Sequence, residues 1–188
     1  MIRRFAFPAL VLIMLAAVAV SLEAEKIPAT AGSDAAASTD ESRMLGPSGL
    51  QIPRFVSLKT DRVNVRRGPS TTHQVVWVYA RKGLPVEIIA EFEHWRRIRD
   101  SDGEEGWVYY SLLAGRRTAL VAPWLKGERL TLLDAASPNG SPVAAVEAGV
   151  LGDIDACNGA WCRFSTNGYT GWVKQELLWG VYPGEQFG

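Results

Sequence analysis

The sequence predicts an all-β protein made of two tandem copies of one small β-barrel, and three observations carry that expectation. The first is a repeat: Trp95 precedes Gly106-Trp107-Val108 and Leu112-Leu113, while Trp161 precedes Gly171-Trp172-Val173 and Leu177-Leu178, with identical spacing from each Gly-Trp-Val to its Leu-Leu. The second is a turn dipeptide inside each Trp-to-Gly interval, Asp102-Gly103 in one copy and Asn167-Gly168 in the other. The third is that neither copy holds a stretch with the length and period of an amphipathic helix. A set of short strands with no helix to cover it hides its edges best by closing into a barrel.

The N-terminus is read apart from the fold. Met1-Ile2-Arg3-Arg4 is basic, residues 5–20 are apolar and uncharged, and small residues follow that fit cleavage at Ala19 or Ala24. Residues 1–24 therefore read as a secretory signal, which places the chain in the periplasm or another extracytoplasmic compartment. The alternative is an uncleaved anchor, because the apolar run approaches the roughly 17 residues that span a bilayer. Contact with the membrane is expected only through this segment if it is retained. Residues 25–51 are mostly Ala, Ser, Thr, Asp, Gly and Pro, with almost nothing to bury, and are expected to form a flexible tether. The first domain is assigned to residues 52–117 and the second, divergent one to residues 118–188.

Within the first copy, residues 56–65 begin a β segment that ends in the loop Arg66-Arg67-Gly68-Pro69-Ser70, where Gly and Pro interrupt the strand. Residues 75–79 are β-branched and aromatic and stop at Lys82-Gly83. Strands over residues 86–91, 95–99 and 106–109 follow, the last two joined through Asp102-Gly103, and residues 110–113 are long enough only for a 3₁₀ turn.

These blocks closely resemble the bacterial SH3-like domain family. The resemblance rests on Val63-Asn64-Val65-Arg66-Arg67-Gly68-Pro69-Ser70, Lys82-Gly83, Trp95-Arg96-Arg97-Ile98, Asp102-Gly103 and Gly106-Trp107-Val108, all in order. The second copy keeps only the later half of the pattern: Thr131-Leu132-Leu133-Asp134-Ala135-Ala136 stands where the first has Asn64-Val65-Arg66-Arg67-Gly68-Pro69. The resemblance implies two tandem SH3-like barrels and a role in binding cell-wall (peptidoglycan) peptides or protein segments, the latter as an interaction or scaffold module of the cell envelope.

The chemistry-bearing residues argue against catalysis. His73 and His94 both lie in polar turn sequences, no phosphate-binding or nucleophile motif is present, and Cys157 has no histidine in its own copy. No cofactor is expected. A zinc site at Cys157 and Cys162 would need two further ligands that their neighbourhood lacks, so no metal is expected either. These cysteines bracket an Asn-Gly turn, where paired strand positions come within disulfide reach at about 5.5 Å between Cα atoms. In an exported chain they are expected to form a disulfide.

The ligand surface is expected on the first copy. Trp95 and Ile98 are three apart on one strand and so point to opposite faces. If Ile98 is core, Trp95 lies outside with Arg97 and Arg99, either as a ligand platform with Trp107 or packed beneath a neighbouring loop or against the second barrel. Arg66 and Arg67 form the rim. Residues 52–118 carry twelve Lys/Arg against eight Asp/Glu, and residues 119–188 four against seven, so the copies differ in charge by sign. Guanidinium groups match carboxylates and phosphates, but the same arginines could instead pair with Glu87, Glu91, Glu93, Glu104 and Glu105 on adjacent strands. Nucleic acid is not expected as a partner, given the export signal and the net charge of zero.

Overall fold

The computed structural model describes residues 44–188, so the expected signal (1–24) and residues 25–43 of the expected tether lie outside the described residues. Two short strands, β1 (Met44–Leu45) and β2 (Gln51–Ile52), pair antiparallel ahead of the first repeat. Then come β3 (Arg54–Leu58), β4 (Val63–Arg66), β5 (Val75–Tyr79), β6 (Pro85–Phe92), β7 (Trp95–Arg99), β8 (Glu105–Tyr109), a 3₁₀ turn over Tyr110–Leu112, and β9 (Leu113–Ala114). They pair in the order β5-β4-β8-β7-β6-β3-β9.

The second repeat follows the same plan. Its elements are β10 (Thr118–Val121), β11 (Arg129–Leu133), β12 (Pro142–Glu147), β13 (Leu151–Asn158), β14 (Trp161–Thr166), β15 (Tyr169–Lys174), a 3₁₀ turn over Gln175–Leu177, β16 (Leu178–Trp179) and β17 (Gln186–Phe187). The order is β12-β11-β15-β14-β13-β10-β16, with β17 added beside β13. Apart from β17, the path is that of the first sheet, element for element.

The equivalence extends to single residues. Trp95 faces Tyr109, Arg97 faces Trp107 and Ile98 faces Gly106; in the second sheet Trp161 faces Lys174, Arg163 faces Trp172 and Phe164 faces Gly171. Both sheets carry bulges at matching places, between Ile88 and Ala90 and between Ile154 and Ala156, and again between Val65 and Arg66 and between Leu132 and Leu133. The glycine of each Gly-Trp-Val has a steric cause. A Cβ on Gly106 would collide with Val65 of β4, and one on Gly171 would lie 2.8 Å from the Leu132 Cβ and 2.9 Å from the Leu133 carbonyl of β11.

Alternation then fills each interior. Val56, Leu58, Val63, Val65, Val86, Ile88, Ile98 and Val108 form one buried cluster. The second is built around Phe164, Leu132, Ile154, Val173 and the Cys157–Cys162 disulfide, whose Cα atoms are 4.1 Å apart. That separation is shorter than the expected 5.5 Å and suits a non-hydrogen-bonded antiparallel pair. The turn between these cysteines is also displaced by one residue: Gly159 (φ +93°) and Ala160 form its tip, while the Asn158 Oδ1 accepts from the backbone N–H groups of Ala160 and Trp161 at 3.1 and 2.8 Å.

The apolar side chains at the end of the expected tether, Met44, Leu45 and Leu50, are exposed, but its last residues pair as β1 and β2 and are held by a polar contact. Glu91 on β6, whose side chain is 0 % exposed, accepts from the Ser48 N–H and hydroxyl (2.8 Å each) and from Arg54 (2.7 Å), and pairs with Arg96 at 3.1 Å. A buried carboxylate needs its lone pairs filled, and the turn between β1 and β2 supplies two of the donors. Composition shows how little apolar surface a segment can bury; it does not reveal a polar group elsewhere that the segment completes.

The two sheets belong to one compact unit. The Thr118 hydroxyl donates to the Gly83 carbonyl (2.7 Å), the Trp179 indole N–H to the Pro85 carbonyl (3.3 Å), and the Tyr182 hydroxyl to Glu87 Oε1 (2.9 Å). Phe55 packs edge-on against Trp179 and tilted against Tyr182, with ring centroids 5.1 and 4.8 Å apart.

Candidate functional site

On β8, Gly106 and Val108 point inward, so Glu105, Trp107 and Tyr109 share the opposite face. Their register partners Arg99, Arg97 and Trp95 share it, and Arg66 of β4 lies across from Trp107. Strand alternation thus brings Trp95, Arg97, Arg99, Trp107 and Arg66 to one outer face. Arg67 lies at the end of β4, exposed, with its N–H bonded to the Gln74 carbonyl.

One part of the expectation is corrected: Trp95 is on the outer face but not exposed. It is 8 % accessible and lies outside the Ile98 core cluster, with the Tyr109 ring edge-on to it at 5.4 Å. Alternation decides which face a side chain takes, while the residue one strand over decides whether that face is wet. Trp95 is a packing residue, but a ring of its own sheet lies against it, neither a neighbouring loop nor the second barrel.

The rings that do reach solvent are its neighbours. Tyr109, Tyr110 and Phe92 are 36 %, 47 % and 50 % exposed. His94, at the hairpin tip, sits 5.9 Å from Tyr109 and 5.5 Å from Tyr110 between ring centroids, and the Arg96 guanidinium lies 5.8 Å from the centre of the Tyr110 ring. The Tyr110 N–H bonds the His94 carbonyl, which ties the 3₁₀ turn to the hairpin. Tyr109-Tyr110 directly follows Gly-Trp-Val and differs from Lys174-Gln175 at the same place in the second copy, a difference that could have marked it in the sequence.

The arginines are mostly committed. Arg97 pairs with Glu105 (2.7 Å), Arg99 grips one oxygen of Glu87 through Nε (3.0 Å) and Nη2 (2.6 Å), and Arg66 donates to the Thr71 and His73 carbonyls at 2.9 and 2.7 Å. Contact with Glu87 raises the Arg99 pKa further, so the guanidinium stays charged. Arg66 thus shapes the loop it was expected to rim. Among the described residues, the first-copy cations whose side chains make no hydrogen bond or ion pair are Lys59, Arg62, Arg67, Arg81 and Lys82, all in the loops bracketing β4 and β5. Unspent positive charge therefore lies at the β4–β5 end of the sheet rather than on β7.

A family model matches both copies. The family model described as "Bacterial SH3 domain" matches residues 59–115 and 126–180, more than half of the chain. Among solved structures, NlpC2 from Trichomonas vaginalis is similar at 15% identity and a TM-score of 0.32, over 69% of this chain and 49% of that one. NlpC1 from the same organism is similar at 16% identity and a TM-score of 0.31, over 73% of this chain and 49% of that one. This chain thus spans about half the length of either protein. No curated protein matches it. With a Gly-Trp-Val crossing, a bulged hairpin and a 3₁₀ turn repeated at matching registers, and with both copies matched, the chain belongs to the bacterial SH3 domain family as a tandem pair.

Proposed function

We propose that this is a non-catalytic, exported binding protein that recognises peptidoglycan peptides through the outer face of its first domain. The observation that carries this reading is the row of Trp107, Tyr109 and Tyr110 beside the Arg66-Arg67 loop: aromatic rings for contact area, next to Arg67, whose guanidinium is uncommitted and matches a carboxylate-bearing peptide. The disulfide supports an oxidising, extracytoplasmic setting. Co-sedimentation with purified peptidoglycan, before and after enzymatic digestion of the stem peptides, tests the reading. Binding should be lost with the peptides; retention on peptide-stripped glycan, or no binding at all, would reject it.

A second reading, recognition of an extended protein segment, draws on β5. This strand ends the sheet order, exposes Val76 and Val78, and is flanked by Arg67 at one end and by Arg81 and Lys82 at the other. An edge strand of this kind accepts an added strand through its main chain. A Val76→Lys variant that loses a protein partner in pull-down but keeps peptidoglycan binding would favour this reading over the first.

A further inference from the structure

In the first domain, the space between the hairpin tip and the 3₁₀ turn is occupied by the rings of His94, Tyr109 and Tyr110. The second domain places Ala160, Lys174 and Gln175 at those positions, fixed by the same contacts: Trp161 faces Lys174, and the Gln175 N–H bonds the Ala160 carbonyl. There the second domain has a cleft of about 420 Å³, lined by Trp161, Lys174, Glu176, Leu178, Val181 and Pro183. That volume lies in the range of small-molecule sites, roughly 300–1,000 Å³.

The cleft is built and held. Its hairpin wall is closed by the Cys157–Cys162 disulfide and by the Asn158 side chain. Its opposite wall, the turn around Pro183 and Gly184, is anchored by the buried Gln175 amide, which donates to the Glu185 carbonyl and accepts from the Gly184 N–H, both at 2.8 Å. Preorganised walls spare a ligand the cost of ordering them. Of the residues lining it, one is a cation and one an anion: Lys174 and Glu176, paired with each other at 3.2 Å and both more than half exposed.

We propose that this cleft is a second binding site, for the zwitterionic head of an α-amino acid with an apolar side chain. The carboxylate takes Lys174, the ammonium takes Glu176, and the side chain packs against Trp161, Val181 and Pro183. A molecule with one charge would have to leave the other member of an existing ion pair unmatched; a zwitterion replaces one exposed pair with two. The proposal stands apart from the first-domain reading, because it concerns other residues and another ligand.

The test is titration of the full chain with leucine, N-acetyl-leucine and leucinamide, followed by the indole N–H resonance of Trp161, assigned by its loss in Trp161→Phe. Leucine should shift that resonance saturably, and each blocked analogue should bind roughly tenfold more weakly. Lys174→Gln and Glu176→Gln, surface changes that leave the fold intact, should each reduce leucine to the affinity of a blocked analogue. Equal binding of all three probes, no saturable shift with leucine, or unchanged leucine affinity in both variants would overturn the proposal. Peptidoglycan co-sedimentation of the same variants reads the first-domain site separately.

Discussion

Glu91 and Arg96 face each other across the β6–β7 hairpin at the register that Cys157 and Cys162 occupy across β13–β14. One copy ties its hairpin with a largely buried ion pair and the other with a covalent bond. The two ties differ in what breaks them: the first domain's hairpin is sensitive to acid and the second's to reductant.

Acid sensitivity follows from Glu91. Burial alone would raise its pKa, but Arg54 and the two Ser48 donors outweigh that and hold it below the usual glutamate value. A folded-state pKa lower than the unfolded one gives stability that is present above the unfolded value, near 4.5, and is lost as pH falls through the folded one. Glu91→Gln should cost about 2–3 kcal/mol at neutral pH, because Arg54 and Arg96 lose their carboxylate. It should also flatten the acid limb of stability against pH below that value; denaturant unfolding at a series of pH values checks both effects.

Reduction acts on the second domain. The closed loop is short, so loss of the disulfide should cost roughly 2 kcal/mol of that domain's stability. Intact mass after alkylation should show no modified cysteine without reductant and two with it. Two alkylated cysteines in the native, unreduced protein would contradict the bond.

Trp95 and Tyr110 separate packing from recognition. Trp95→Ala removes a buried ring and should destabilise the first domain by about 3 kcal/mol. Tyr110→Ala should change stability by less than about 1 kcal/mol while weakening peptidoglycan binding. Thermal unfolding of the two variants decides the assignment: equal losses would place Tyr110 in the packing as well.

The contact between the domains centres on Glu87, which is 4 % exposed and shared between Arg99 and Tyr182. Tyr182→Phe deletes one hydrogen bond to a charged acceptor and should cost about 1–2 kcal/mol. Trp179→Ala, which removes the Phe55 and Pro85 contacts, should split a single unfolding transition into two. A single, unbroadened transition in Trp179→Ala would show that the domains are coupled elsewhere.

The sequence by itself determined the duplication, the strand character of both copies and the face each side chain takes, because these depend on local spacing: a period of two along a strand, and a glycine wherever another strand crosses too closely for a Cβ. The cysteine pair was legible for the same reason, lying either side of one turn. What tertiary structure alone decided is which groups meet. In sequence Arg97 and Arg99 could be ligand cations or partners of any of five glutamates; the strand register pairs Arg99 with Glu87 and sets Glu105 within reach of Arg97. Trp95 looks external until Tyr109, fourteen positions later, is placed beside it, and residues 44–52 look like tether until Glu91 needs their donors. The cleft beside Trp161 is visible only in space, because the turn around Pro183 and Gly184 folds back opposite the earlier β13–β14 hairpin. Strand pairing brings together residues far apart in the chain, and burial and ion pairing depend on those neighbours.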